Sequence, residues 1–151
     1  MEAAAVRRAS VDDLADLVRL YRHLVGDDPT HQATSGNDSA DLLGHILDQP
    51  GRVLLIATLD DQVVGTADLV IVANLTHLGR PWGAVENVVV DETVARQGVG
   101  RSLMEAVLEH CRAAGCFKVQ LLSRKDRAGA HRFYEALGFE PLAEGYRLYL
   151  P

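Results

Sequence analysis

The sequence predicts an α/β (α+β) domain in which helices flank a mixed, mostly antiparallel sheet, and three observations carry that prediction. Two β-branched runs, residues 53–59 and 63–73, are joined by Asp60-Asp61-Gln62 and read as a hairpin of buried antiparallel strands. The run Asn87-Val-Val-Val-Asp91 leads through Arg96-Gln-Gly-Val-Gly-Arg101 into Ser102-Leu-Met-Glu-Ala-Val, which reads as strand, glycine loop and helix. Residues 117–122 return as a strand, and a strand, helix, strand crossover makes its two strands parallel.

The remaining elements follow in order. Ser10-Val-Asp-Asp13 is a capping pattern, behind which Leu14, Leu17, Val18, Tyr21, Leu24 and Val25 recur at helical spacing. Residues 26–37 lack periodicity and contain Pro29 and Gly36, so a loop is expected, placed to close over a substrate. Leu42, Leu43, Ile46 and Leu47 define a second short helix over 39–49, ended by Pro50. A strand over 84–91 precedes the glycine loop, and Val99, Leu103, Val107 and Cys111 mark the inward stripe of the long helix after it. Ala130-His-Arg-Phe-Tyr-Glu-Ala-Leu-Gly-Phe139 is a short helix with Ala130, Phe133 and Leu137 on one face, closed by Gly138. A final strand is expected within 146–150.

The glycine loop is a place to hold a phosphate. Gly98 and Gly100 leave backbone uncovered at a helix start, where free amides and the helix dipole favour an anion, and Arg96 and Arg101 flank it with positive charge. It is not a Walker A loop, because Gly100 is followed by Arg101 and one residue separates the glycines. Nor is it a dinucleotide fingerprint, because Leu103 stands where a third small residue belongs. A plain strand-to-helix turn is the competing reading.

Taken together, the glycine loop at residues 95–100 and the Phe-Tyr helix, Phe133 to Phe139, resemble the GNAT superfamily of N-acetyltransferases, with its Arg/Gln-x-x-Gly-x-Gly/Ala loop and later Phe-Tyr-x-x-x-Gly-Phe helix. Two positions depart from the pattern. Ala95 stands where the family has Arg or Gln, with Arg96 one place later, and Arg127 stands where many members carry an Asn.

The resemblance implies acetyl-CoA as cosubstrate, with backbone pairing along Val88, Val89 and Val90 and a phosphate cradle at Arg96, Gln97, Gly98, Val99, Gly100 and Arg101, to which Arg127 adds a cation. Lys118, Arg124 and Lys125 are further candidates for the nucleotide's phosphates. Tyr134 occupies the family's tyrosine position and is the expected general acid, since a phenol with pKa near 10 is roughly matched to a departing thiolate. Glu86 is the expected base: Glu86-Asn-Val-Val-Val resembles the strand of glucosamine-6-phosphate N-acetyltransferases that carries a Glu here. Structural roles compete with both, as a core-edge aromatic and a solvated carboxylate. His131 reads as a surface residue.

A chain of 151 residues, 48% hydrophobic, is one domain over 1–151 with room for a core. The N-terminus lacks the apolar stretch of a signal peptide, and no run reaches the roughly 18 apolar residues of a membrane helix, so a cytoplasmic protein with no membrane partner is expected. The net charge of −6 speaks against nucleic acid. Residues 1–95 hold 15 acids against 6 Lys or Arg, while residues 96–151 hold 6 against 9. That asymmetry suits an anionic cosubstrate and a cationic acceptor, or is drift in surface charge. No metal is implied, since the six His residues form no ligand pattern. Cys111 and Cys116 read as buried small apolar residues. The expected activity is transfer of acetyl to a small-molecule primary amine by direct attack. A protein N-terminus or lysine as acceptor and a non-catalytic acyl-CoA-binding module are the alternatives, and a homodimer is left open. Residues 74–82, with the single Trp, line either the acceptor pocket or a subunit interface.

Overall fold

The computed structural model describes residues 3–26, 28–34 and 36–151. Met1 and Glu2 of the N-terminus, and Asp27 and Ser35 of the expected loop, lie outside the described residues. The chain divides into two compact units, residues 1–120 and 121–151.

The first unit is built on a sheet of strand order β1-β2-β3-β4-β5. Its strands are β1 (Ala5–Arg8), β2 (Arg52–Leu59), β3 (Gln62–Val72), β4 (Trp82–Val90) and β5 (Val119–Leu121), the last ending at the boundary between the units. The β1–β2, β2–β3 and β3–β4 pairs are antiparallel. Phe117 N donates to Pro81 O and Gly83 N to Lys118 O, with both strands' numbers rising together, which is the parallel sense the crossover requires. Leu59 faces Gln62, so the hairpin loop is Asp60-Asp61, both with positive φ (48° and 61°), the backbone of a tight turn that follows the strand twist.

Helices cover both faces. A 3-10 turn over Val11–Asp13 leads into α1 (Leu14–Val25), and Asp13 Oδ2 accepts from the Ser10 amide at 2.7 Å, the reciprocal half of the expected cap. Arg7 grips the same carboxylate through two bonds, at 2.8 and 2.9 Å, and holds it below the usual carboxylate range. With α2 (Ser39–Asp48), α1 closes a core of Leu17, Leu20, Leu43, Leu54, Ile56, Val63 and Val89. On the other face lies α3 (Val99–Ala113), whose Val99, Leu103, Met104, Val107 and Cys111 are buried. Both faces of β2 are therefore covered, which is why 53–57 is an unbroken apolar run. Gly65 and Gly83 let α3 approach: a methyl on Gly65 would stand 3.0 Å from Leu103 Cδ1, and one on Gly83 2.8 Å from Cys111 Sγ.

In the second unit, α4 (Ala128–Ala136) carries the Phe-Tyr pair and is followed by Gly138 at φ 94°. Two expectations are corrected. Residues 146–150 form no strand: the alternation is present, but no neighbouring strand supplies a ladder, and Tyr146, Leu148, Tyr149 and Leu150 are 74–88% exposed. Cys116 is half-buried where full burial is expected, because it sits in the turn between α3 and β5, whereas Cys111 faces the core.

Candidate functional site

The strand before the glycine loop is interrupted. Thr66 faces Val89 and Asp68 faces Glu86, so β4 has two residues, Asn87 and Val88, where β3 has only Ala67. This is a β-bulge, with Asn87 at φ 50°, and it leaves an extra stretch of backbone outside the ladder. Glu86 is exposed beside it, Val89 turns into the core, and Val88 and Val90 are half-buried.

Asp91 then fixes the exit of the strand. It accepts from the Thr93 amide at 3.0 Å, the Thr93 hydroxyl at 2.8 Å and Arg19 Nη1 at 2.6 Å. Those bonds, the Thr93 amide foremost, hold its carboxyl below the usual range. A 3-10 turn over Glu92–Val94 follows, and Arg96 adopts φ 65°. Gly98 is the N-cap of α3 at φ 82°, with open space where a side chain would stand. Arg96, Gln97 and Gly98 are exposed, whereas Val99 is 1% exposed and anchors the loop. No side chain caps α3, so the amides of its first turn, which have no acceptor within the helix, stay available to an anion. The loop therefore offers an anion free donors at the helix start, with no side chain over Gly98. Arg101 reaches Glu105 at 3.3 Å, an exposed pair one turn along the helix.

Between α1, α2 and the sheet lies a cavity of about 220 Å³. Its walls are apolar, and its floor carries Arg52, Asp68 and Tyr21. Arg52 donates to both Asp68 oxygens, from Nε at 2.9 Å and Nη2 at 2.5 Å, while Nη1 goes to Gln49 at 3.0 Å. Burial, and then the Asp68 charge, push the Tyr21 phenol up to about 12. Ala33 and Thr34 of the irregular 26–37 stretch also line it. Sequence reasoning missed this floor. Its signal was Asp68, a carboxylate in the middle of an apolar strand run.

In the second unit, Tyr134 is half-buried. Its ring lies 5.1 Å from Phe133 and 5.9 Å, edge-on, from Phe139. Burial raises its pKa, and the Arg127 charge opposes that rise. His131 Nε2 lies 2.8 Å from Arg124 O, and Arg124 also reaches Asp126 at 2.8 Å. Glu86, Val88, Val89, Val90 and residues 96–101 thus share one strand-loop-helix of the first unit, whereas Arg127 and Tyr134 belong to the second. Lys118 stands over the Trp82 and Phe117 rings, 5.5 Å from each, and His77 stacks on Phe117 at 3.7 Å, so the 74–82 segment is tied to the start of β5. Among the described residues no group of three or more His, Cys, Asp or Glu is arranged to hold a metal, and no helix is long and apolar enough to cross a membrane.

Four matches to known proteins bear on this geometry. The model of the acetyltransferase (GNAT) family matches residues 15–139. An aminoglycoside N(6')-acetyltransferase type 1 of Stenotrophomonas maltophilia is 31% identical over 143 residues, 91% of this chain and 87% of that one. A glucosamine 6-phosphate N-acetyltransferase of Trypanosoma brucei brucei is 38% identical over 87 residues, and the match spans 58% of this chain and 57% of the trypanosomal protein. Among solved structures, one from Agrobacterium tumefaciens str. C58 described as an acetyltransferase superposes with a TM-score of 0.89 at 34% identity, covering 97% of this chain and 99% of the other.

Proposed function

The chain belongs to the acetyltransferase (GNAT) family, and we propose that it moves an acetyl group from acetyl-CoA to the primary amine of a small molecule by direct attack. One observation carries this reading: a single strand-loop-helix presents an interrupted ladder at Asn87 and Val88 and, beyond it, an uncapped helix start beneath Gly98. The relatives named for glucosamine 6-phosphate and aminoglycosides support a small amine as acceptor.

Acetyl-CoA supplies a thioester carbonyl carbon, to which the amine nitrogen bonds as the C–S bond breaks. The amides of Val99, Gly100 and Arg101, with Arg96, Gln97 and Gly98 around them, hold the pyrophosphate. Backbone along Val88, Val89 and Val90 pairs with the pantetheine arm, and a freed amide there polarises the carbonyl. Glu86 takes the proton of the acceptor ammonium, directly or through water. Tyr134, whose raised pKa keeps it protonated, gives a proton to the departing thiolate sulfur, and the second proton of the acylated nitrogen returns to the phenolate, so the step ends on the amide, the free thiol and neutral Tyr134, with the ammonium proton released to water from Glu86.

The same reading includes a cytoplasmic location, where the free thiols of Cys111 and Cys116 stay reduced. It also includes a homodimer, supported by the exposure of Leu142, Tyr146, Leu148, Tyr149 and Leu150. Light scattering on the eluted protein should then return twice the chain mass of 16.4 kDa. For the activity, millimolar acetyl-CoA should raise the melting temperature, and a panel of amines should release thiol from it. No thermal shift and no thiol release with any amine would sink the proposal. A shift without release would leave a binding module.

A further inference from the structure

The floor of the 220 Å³ cavity combines features that a folded sheet gains nothing from. Asp68 and Glu86 are directly opposed across β3 and β4, a like-charge pair of the kind that weakens a sheet. Asp68 is 3% exposed and is neutralised by Arg52, whose bonds to Asp68 and Gln49 engage all three of its nitrogens. Each Asp68 oxygen accepts one bond from Arg52 and keeps a lone pair for another donor. Above this floor the walls are Leu14, Leu17, Val18, Leu42, Ile46 and Leu54. Asn87, the residue after Glu86, lines the same cavity, so its sheet side opens beside the β4 bulge.

Resting on the reading of the chain as an amine acetyltransferase, we propose that this cavity seats the body of the acceptor, and that the acceptor is a primary amine with an alkyl or aryl body and no phosphate or other anionic group. Among the described residues that line the cavity, Arg52 is the one cation, and it is already paired. A phosphate entering there would find no free cation and would face Asp68, with Glu86 beside it, so the cavity selects by what it rejects. An ammonium meets the opposite field, since the Asp68–Glu86 pair carries more negative charge than Arg52 cancels. Size points the same way. At about 220 Å³ the cavity has room for a phenyl or hexyl body against its apolar walls. The acceptor thus differs in class from those after which the two curated relatives are named.

Thiol release from acetyl-CoA should be compared for 2-phenylethylamine, hexylamine, glucosamine and glucosamine 6-phosphate. The expected kcat/KM for 2-phenylethylamine exceeds that for glucosamine 6-phosphate by at least tenfold. Val18→Trp, which fills the cavity from α1, should raise the KM for 2-phenylethylamine at least tenfold and leave the thermal shift by acetyl-CoA unchanged. Leu42→Trp does the same from a position 46% exposed and tolerates the larger side chain even if Val18→Trp does not fold. A preference for glucosamine 6-phosphate, or a KM that neither folded tryptophan variant moves, overturns the proposal while leaving the acetyltransferase reading intact. If no amine releases thiol, saturation-transfer NMR of 2-phenylethylamine decides the cavity by itself: transfer abolished by Leu42→Trp sustains it, and no transfer to the wild-type protein overturns it.

Discussion

Arg19 and Asp91 stand 72 residues apart in the chain, and Nη1 of the arginine lies 2.6 Å from Oδ2 of the aspartate. The same guanidinium donates to Val63 O at 2.6 Å and to Asp16 at 3.2 Å, so α1 is fastened to the β3 backbone and to the segment that leads into the glycine loop. The first helix thereby sets the position of a loop to which it contributes no residue.

Asp91→Asn should lower stability at neutral pH by about 1.5–3 kcal/mol, the range for hydrogen bonds to a charged group, read as a fall of several degrees in melting temperature. The sign follows from the depressed carboxyl. Its contribution is fully present above the ordinary carboxylate pKa of about 3.9 and disappears as pH falls through the lower value of the folded state. Wild type and variant should therefore converge in acid, and a melting-temperature gap that stays constant down to pH 2 would remove Asp91 from the acid limb.

Gly98→Val should abolish the thermal shift by acetyl-CoA while the protein still folds. Nothing stands within 4 Å of the added Cβ, so the protein itself does not clash; the residue closes the space over the helix start. At φ 82° a valine also carries backbone strain, on the order of 1–3 kcal/mol. The ligand-free melting point should drop as well, and a variant that drops but still shifts with ligand would take the loop out of the site.

Tyr134→Phe should slow turnover by roughly ten- to a thousandfold with little change in acetyl-CoA affinity, since general-acid assistance contributes on the order of a hundred- to ten-thousandfold and water replaces part of it. Glu86→Gln should act differently. Its deficit is greatest at low pH, where the acceptor is mostly ammonium, and shrinks toward the pKa of the amine. A pH-rate profile of both variants separates the roles, and an equal loss at every pH for Glu86→Gln would deny it the base.

Gly83→Ala should destabilise the fold by about 1–3 kcal/mol, the usual range for overpacking, because the new methyl would stand 2.8 Å from Cys111 Sγ and 3.2 Å from Leu69 Cδ1. Cys111→Ala removes the sulfur, so the same change in that background should cost less. Urea midpoints across the four proteins give the coupling directly, and strict additivity would mean that α3 shifts away rather than compressing.

What the sequence displayed and what it concealed divide along physical lines. The hairpin, the α3 stripe and the glycine loop were legible because burial imposes a period and a left-handed position selects glycine. The strand β1 escaped notice, being four residues, Ala5–Arg8, with Val6 as its one sizeable apolar side chain. Residues 146–150 carried a strand pattern, yet a ladder needs a partner that local pattern does not encode. The Arg52–Asp68 pair joins residues whose proximity follows from the β2–β3 register, so neither residue type discloses it alone. In the same way, Asn87 gave no warning of the bulge, which exists only relative to β3.

That bulge should divide β4 into stretches with different hydrogen-exchange behaviour. Amides held in the β3–β4 ladder, around Val85 and Val89, should exchange only when the sheet opens, whereas backbone displaced from the ladder at Asn87 and Val88 should exchange through far smaller excursions. The strand can therefore vary the backbone it offers to a ligand without loosening the valines that anchor it, so recognition and stability can be altered independently at neighbouring residues of one strand.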